Sequence, residues 1–247
     1  MKRRFCSLGA PLSVDIMLWF DKLGITILQA YGMTEDCVYS HFCSPHANRY
    51  GSVGKALPNL NVIIAEDGEI RKKSKADMKG YYKEKEMSAE MFDEEGFLKT
   101  GDIGEYDSDG YLRITGRVKD IFKTDKGKYI SPGPIETQIL ANTSIEQACV
   151  VGTGVPQPIA LVTLSDTGKN QPADQLKVML SELIGTINAS LEKYEMLEKV
   201  VIMKDGWTIA NNLITPTLKV KRNEIEKIHL ASYPAWYSQK DFIIWEK

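Results

Sequence analysis

Apolar residues recur with a helical period near the start of the chain, and a short β-prone run follows them. A helix is predicted over residues 13 to 23, with one apolar face made by Val14, Met17 and Leu18. Gly24 ends this helix, and the short apolar run of residues 25 to 28 that follows it is typical of a strand. The opening of the chain therefore has the rhythm of an α/β fold.

Between residues 51 and 116 the pattern changes to short β-prone runs separated by tight turns. The turn Glu66-Asp67-Gly68-Glu69 follows one such run, and Asp107-Ser108-Asp109-Gly110 precedes another. This alternation predicts a small β-rich barrel or sheet.

A second change of pattern follows Arg117, where turns rich in glycine and proline give way to alternating strands and helices. Strands are predicted over residues 148–152, 159–164 and 199–203. The main helix between them has one apolar stripe, formed by Leu176, Leu180, Leu183, Ile187, Leu191 and Tyr194. The sequence thus predicts one domain over residues 1–117 and a second over residues 118–247.

Composition narrows the classes of function. The 247 residues include 31 Lys and Arg against 33 Asp and Glu, a net charge of -2 that argues against a nucleic-acid binder. No apolar stretch approaches the roughly 18 residues that a membrane span needs. The four cysteines lack C-x-x-C spacing, which favours reduced thiols and a cytosolic protein. Cys43 lies between His41 and His46, but the spacing fits no standard zinc site and is attributed to chance.

Several polar segments are candidates for chemistry, and each has a plain structural alternative. In Tyr31-Gly32-Met33-Thr34-Glu35, at the end of a predicted strand, the hydroxyl could bind phosphate and the carboxylate could hold Mg²⁺; alternatively Thr34 caps a helix. Asp102 in Thr100-Gly101-Asp102 could accept both hydroxyls of a ribose or belong to a simple turn. Three charges in residues 116–120 mark the proposed domain boundary, where an ordinary solvated linker would also be charged. A lysine in the basic segment 215–222 could project towards an anionic substrate or be solvated.

The order of these segments along the chain resembles the adenylate-forming (AMP-binding) superfamily, and within it the long-chain fatty acyl-CoA synthetases. The resemblance runs nearly from end to end. The segments that carry it are Gly9-Ala10-Pro11-Leu12, Tyr31-Gly32-Met33-Thr34-Glu35, Gly51-Ser52-Val53-Gly54-Lys55, Gly80-Tyr81-Tyr82, Gly96 to Asp102, Gly116-Arg117 with Lys119-Asp120, Asp125 to Glu136, and Leu213 to Lys219.

The resemblance implies a fold and a reaction. Residues 1–117 would be the remainder of a large N-terminal domain with a small β-barrel-like subdomain, and residues 118–247 would be a small mobile C-terminal α+β lid. Such enzymes use ATP and Mg²⁺ to convert a fatty acid or another carboxylate into an acyl-adenylate, and the coenzyme A thiol then displaces AMP. The rival within the superfamily passes the acyl group to a carrier protein.

The resemblance also implies a role for individual residues. Tyr31 with Gly32 would contact adenine, Thr34 phosphate and Glu35 Mg²⁺, while Asp102 and Arg117 would bind the ribose. The segment Gly9-Ala10-Pro11 would line the adenine and acyl pocket. Lys219 would be the catalytic lysine, Lys119 the hinge, and the loop containing Gly127 would face coenzyme A.

Three departures from the family pattern qualify this picture. Residues 71–79 are more basic than the Arg-Gly-Pro-type sequence usual there, and the chain contains no Ser/Thr/Gly-rich loop followed by Lys that would cradle the β- and γ-phosphates. The chain is therefore expected to need a missing N-terminal half, and alone it could be a non-catalytic module.

The aromatic tail over residues 233–247 could touch a lipid surface, but docking on its own domain is favoured.

Overall fold

The computed structural model describes residues 3–9 and 12–247. The chain divides into two compact units, Met1–Lys119 and Asp120–Lys247. Both units combine helices with sheets, which confirms the predicted α/β class. A single turn of 3-10 helix, Val118–Asp120, contains the point where the first unit ends.

The first sheet of the first unit is built around a parallel pair of strands joined by a helix. Its elements are β1 (Arg3–Ser7), α1 (Val14–Lys22), β2 (Ile25–Tyr31), β3 (His41–Phe42) and β4 (Lys55–Ala56), and the strand order is β1-β2-β3-β4. The predicted helix begins where expected because the Ser13 hydroxyl accepts the N–H of Ile16 at 3.3 Å. β1 and β2 are parallel, and ligands of open α/β sheets commonly bind beyond the carboxyl ends of such strands.

The second sheet of this unit is antiparallel and open. It consists of β5 (Asn61–Ile64), β6 (Glu69–Lys73), β7 (Leu98–Tyr106) and β8 (Leu112–Arg117), in that order, with α2 (Lys85–Glu90) between β6 and β7. Within the described part of the chain β5 and β8 do not pair with each other, so the predicted barrel-like subdomain is a sheet and not a closed barrel.

The second unit begins with a short hairpin and continues into a mixed sheet covered on both faces. Its elements are β9 (Phe122–Lys123), β10 (Tyr129–Ile130), α3 (Pro132–Ile139), β11 (Ile145–Val151), β12 (Ile159–Leu164), α4 (Asp166–Lys169), α5 (Ala173–Asn188), β13 (Lys199–Ile202), α6 (Arg222–His229), α7 (Tyr233–Tyr237) and β14 (Ile243–Trp245). The sheet order is β11-β12-β13-β14. Apolar clusters cover both faces, which explains why these strands are continuous apolar runs in the sequence.

The main helix of the second unit is shorter than its apolar stripe predicted. Leu176, Leu180 and Ile187 are buried as expected, but α5 ends at Asn188. The Asn188 side chain there bonds both the N–H and the carbonyl of Leu197, at 2.8 and 3.0 Å. Side-chain bonds to the backbone compete with helix continuation, so the last two positions of the stripe lie in the following loop.

The aromatic tail packs into its own unit, as favoured from the sequence. Tyr233 and Trp236 are buried, and β14 pairs in parallel with β13. Among the described residues, none of the helices is both long enough and apolar enough to cross a bilayer.

Candidate functional site

The carboxyl end of β2 turns sharply into the 3-10 helix Thr34–Asp36. Gly32 is required there because a Cβ at this position would lie 2.5 Å from the Cα of Val38. Thr34 is the first residue of the helix and does not cap it; the N–H of Met33 is instead accepted by the Asp36 carboxylate at 2.9 Å. The Thr34 residue is exposed, and because its hydroxyl does not cap the helix, it is available to a ligand.

Asp102 lies in a bulge of β7. Residues 100 to 102 stand opposite the single residue Ile70 of β6, and Gly101 has a φ of 70°. The Thr100 hydroxyl donates to the carbonyl of Ile70 at 2.6 Å, which fixes the bulge from inside the sheet. Thr100-Gly101-Asp102 is thus a β-bulge and not the simple turn considered as its alternative.

The Asp102 carboxylate is hydrogen-bonded to two other predicted site residues. Tyr31 Oη donates to Oδ2 at 2.8 Å, and Arg117 Nε donates to Oδ1 at 2.8 Å across the β7–β8 pair. Burial raises the pKa of the Tyr31 phenol, and the Asp102 charge raises it further, so this hydroxyl stays protonated and donates. Asp102 is therefore a buried carboxylate whose two oxygens are both oriented by hydrogen-bond donors.

Glu35 is held by the segment that follows β6. Tyr81 Oη donates to Glu35 Oε1 at 2.8 Å, and the N–H of Met78 donates to the Glu35 carbonyl at 2.7 Å. The hydrogen bond to Glu35 is the main reason why the pKa of Tyr81 is raised. These two bonds fix both the carboxylate and the backbone of Glu35.

A magnesium ion fits this arrangement only together with a phosphate ligand. No group of three or more His, Cys, Asp or Glu side chains suited to a metal occurs in the described residues, so a cage made by protein alone is absent there. Mg²⁺ commonly uses one or two carboxylates and takes its other ligands from water and phosphate oxygens. Glu35 fits that pattern, whereas His41, Cys43 and His46 form no metal cluster.

His41 lies in the same sheet as Tyr31, with its ring buried in a hydrogen-bonded chain. Its Nδ1 contacts Ser40 Oγ at 2.9 Å and its Nε2 contacts Tyr106 Oη at 2.7 Å. Burial, followed by the charge of Lys72, lowers the pKa of His41 from 6.5 to about 4. The imidazole is therefore neutral at physiological pH.

We expect His41 to make the free energy of unfolding depend on pH. The folded pKa lies below the unfolded value, so the stabilisation is complete above about pH 6.5 and is lost as pH falls towards 4. The loss amounts to about 3 kcal/mol, since one pKa unit corresponds to roughly 1.4 kcal/mol. Urea unfolding of the wild type and of His41→Gln between pH 7 and 4.5 measures it. If the free energy of unfolding fell equally with pH in the wild type and in His41→Gln, this prediction would be contradicted.

Lys219 lies in the second unit, on an exposed turn that is fixed by its own backbone. The N–H of Thr215 donates to the carbonyl of Lys219 at 2.8 Å, and the N–H of Lys219 donates to Thr215 Oγ1 at 3.0 Å. Beyond the turn, Arg222 pairs with Glu136 at 2.5 Å and donates to the Val150 carbonyl. The Lys219 side chain is exposed, and these contacts hold the chain on the C-terminal side of its turn.

The remaining predicted residues lie in turns. Gly127, with a φ of 76°, is near the tip of the exposed β9–β10 hairpin, and Lys119 is the central, exposed residue of the turn Val118–Asp120. Gly9 has a φ of 86° just after β1. Ala10 and Pro11 lie outside the described residues.

The sequence missed two residues that support this site. Tyr81 belongs to the Gly-Tyr-Tyr segment but was assigned no role, and Lys72 was regarded only as part of a basic stretch. The structure buries Lys72 against Asp36, directly beneath the Thr34–Asp36 turn.

Comparison with known proteins gives consistent matches along the chain. Residues 2–82 match the model of the AMP-binding enzyme family, and residues 119–239 match that of the AMP-binding enzyme C-terminal domain. A Mycobacterium tuberculosis protein that carries the provisional name fatty-acid–CoA ligase fadD11 is 33% identical over 94% of this chain and 43% of its own length. Mouse long-chain-fatty-acid–CoA ligase 5 is 30% identical over 93% of this chain and 38% of its own.

A solved structure agrees with these sequence matches. The o-succinylbenzoate CoA synthetase of Bacillus subtilis, in complex with its acyl-adenylate intermediate, superposes with a TM-score of 0.73 at 26% identity. The match covers 91% of this chain and 46% of that one. The chain therefore spans less than half the length of each of these three proteins.

Proposed function

The chain belongs to the AMP-binding, adenylate-forming enzyme family, and from that premise we propose that it is the C-terminal part of a fatty acyl-CoA synthetase. ATP and a long-chain fatty acid would give an acyl-adenylate and pyrophosphate, and coenzyme A would displace AMP to leave a thioester. The names of the relatives support a fatty acid as the carboxylate. Because the chain covers only 43% and 38% of them, activity of a whole enzyme is part of the proposal.

The observation that carries this proposal is the Asp102 carboxylate oriented by Tyr31 and Arg117. An ionised aspartate can accept from both hydroxyls of a ribose, and the exposed Arg117 guanidinium adds donors beside it. In the proposed complex, the hydrogen bond from the Tyr31 hydroxyl to Asp102 holds the Tyr31 ring, and the ring stacks on the adenine beside the turn at Gly32. The proposed acyl and adenine pocket also includes Gly9, Ala10 and Pro11.

Thr34 and Glu35 are proposed to act on the phosphates. The Thr34 hydroxyl donates to a phosphate oxygen, and Glu35 holds Mg²⁺ through its carboxylate. The metal, when bound, supplies positive charge against the phosphate oxygens. The bond from Tyr81 keeps Glu35 oriented for that contact.

The second unit is proposed to supply the catalytic cation and the thiol-binding surface. Lys219 stabilises the negative charge that develops between the attacking carboxylate oxygen and the α-phosphate. The Gly127 turn faces coenzyme A in the later step. Lys119 is the hinge at which the backbone changes conformation between the two steps.

Asp102→Asn tests the nucleotide assignment directly. We expect the affinity of the chain for AMP to fall by about 10- to 100-fold, because hydrogen bonds to a charged group contribute roughly 1.5–3 kcal/mol. Isothermal titration with AMP measures this effect. Asp107→Asn is the matched control, since Asp107 pairs with Arg49 at the surface and should leave the affinity unchanged. Equal affinities in the two variants would refute the role of Asp102.

A second proposal is that the chain acts only with an N-terminal companion. Large apolar side chains of β1 and α1 and just beyond them are exposed: Phe5 by 58%, Trp19 by 57% and Leu23 by 59%. Apolar patches of this kind mark interaction surfaces in soluble proteins. Exchange of labelled pyrophosphate into ATP should be undetectable for the 247 residues alone and appear when the companion is added.

The identity of the acceptor and the compartment complete the proposal. Coenzyme A-dependent AMP release would separate an acyl-CoA synthetase from an enzyme that loads a carrier protein. The four cysteines are all free thiols, which supports a reducing, cytosolic location. Packing of the aromatic tail into its own unit disfavours a membrane anchor there.

A further inference from the structure

Three charged side chains form a buried cluster directly beneath the Thr34–Asp36 turn. Lys72 Nζ lies 2.8 Å from Asp36 Oδ2 and 3.0 Å from Asp77 Oδ1. The side chains of Lys72, Asp36 and Asp77 are only 0%, 1% and 8% exposed. Buried charges of this kind are rare because they are costly to remove from water.

Each charged group of the cluster has further polar partners besides the ion pairs. The Lys72 ammonium has three donors, and its third partner is the carbonyl of Tyr39 at 3.1 Å. The second oxygen of Asp36 accepts the N–H of Met33 at 2.9 Å. The second oxygen of Asp77 accepts the N–H of Ser74 at 2.7 Å. Each charge therefore serves as a fixed point for nearby backbone.

These bonds enclose the turn that carries Thr34 and Glu35. Lys72 is bonded to Asp36 inside the turn and to Tyr39 just after it, while Asp36 holds the residue just before it. The segment after Asp77 adds the bond from Met78 to the Glu35 carbonyl. The backbone on both sides of Thr34 and Glu35 is thus tied, through one ammonium group, to strand β6.

We propose that Lys72 is a positioning residue, which holds the Thr34–Asp36 turn so that the Thr34 hydroxyl and the Glu35 carboxylate face a magnesium-bound phosphate. This inference rests on the proposed function for its ligand. Lys72 itself is fully buried and touches no substrate. Its effect is transmitted by Asp36 and Tyr39 to the backbone of the turn.

Two variants separate positioning from general stability. Lys72→Met removes the cation and leaves two carboxylates buried, and this protein could fail to fold. The triple variant Asp36→Asn/Lys72→Met/Asp77→Asn removes all three charges, while its amide oxygens can still accept the N–H groups of Met33 and Ser74. It therefore leaves no uncompensated charge in the interior. Leu112→Ala, at a buried position of β8, is the matched control for lost stability.

Amide hydrogen exchange of the free chain tests the first part. Amide exchange over residues 33 to 39 should become about tenfold faster or more in the triple variant. In Leu112→Ala, the exchange of the same amides should change no more than that of the sheet β5-β6-β7-β8, which contains Leu112. Unchanged exchange at the turn would overturn the proposal.

Ligand titration tests the second part. The dissociation constant for MgATP should rise about tenfold in the triple variant, while that for AMP, which relies on Tyr31 and Asp102, stays within about twofold. A purely structural role would weaken both ligands alike and would overturn the proposal. If the wild-type protein shows no Mg²⁺-dependent ATP binding even with the N-terminal companion present, the function proposed for Glu35 fails, and the exchange experiment still decides whether Lys72 holds the turn.

Discussion

Replacing Lys219 by alanine is expected to slow acyl-adenylate formation by about a hundredfold or more, the scale of removing one transition-state charge contact. The ammonium group is proposed to meet negative charge that builds only while the carboxylate attacks the α-phosphate. The Thr215–Lys219 turn fixes the backbone of the lysine, so little reorganisation is needed when that charge develops. Thioester formation does not create this charge and should be much less affected.

Separate assays of the two half-reactions test this expectation. Exchange of labelled pyrophosphate into ATP, measured with the N-terminal companion present, reports adenylation. Thioester formation is measured from chemically prepared acyl-adenylate and coenzyme A. Lys227→Ala is the matched control, because Lys227 pairs with Glu224 on the surface of α6. Equal loss of both half-reactions in Lys219→Ala would refute the assignment.

Periodic apolar residues were sufficient to predict most of the fold. Apolar spacing and the stop at Gly24 located α1 to within a residue of each end, and β12 matches its predicted range fully. These elements are specified by neighbours in the sequence. The end of α5 was not, because it depends on a contact between Asn188 and Leu197 across a loop.

The bulge of β7 shows why part of the site escaped prediction. Thr-Gly-Asp has the composition of a turn, and its local sequence cannot reveal that a neighbouring strand continues past it. The register between β6 and β7 turns the same three residues into a bulge that directs Asp102 towards Tyr31. Family resemblance identified Asp102 and Arg117 as site residues, but their ion pair follows from strand pairing.

Lys72 illustrates a second limit of prediction from the sequence, the burial of a charged side chain. A lysine within a basic segment is normally solvated, and local sequence gives no sign that Asp36 lies against it from another sheet. In the described part of the chain, this basic segment instead contributes the most buried ion pair. Departure from the family pattern over residues 71–79 was the only available signal.

Lys119→Pro is expected to stop one half-reaction nearly completely and to leave the other close to the wild-type rate. Lys119 is the last residue of the first compact unit and the centre of a single helical turn, so few backbone bonds resist a change in its conformation. Proline fixes φ near −65° and removes the N–H, and it also restricts Val118 before it. A backbone that must adopt two conformations during turnover would then be held in one of them.

The alanine variant at the same position separates backbone from side chain. Lys119→Ala removes the exposed ammonium but leaves φ free, so both half-reactions should remain within a few-fold of the wild type. Pyrophosphate exchange and thioester formation from supplied acyl-adenylate are measured for both variants with the companion present. Because proline restricts one torsion rather than a contact with substrate, the retained half-reaction should keep its KM. Comparable loss of both half-reactions in Lys119→Pro, or an equal loss in Lys119→Ala, would show that residue 119 acts otherwise than as a hinge.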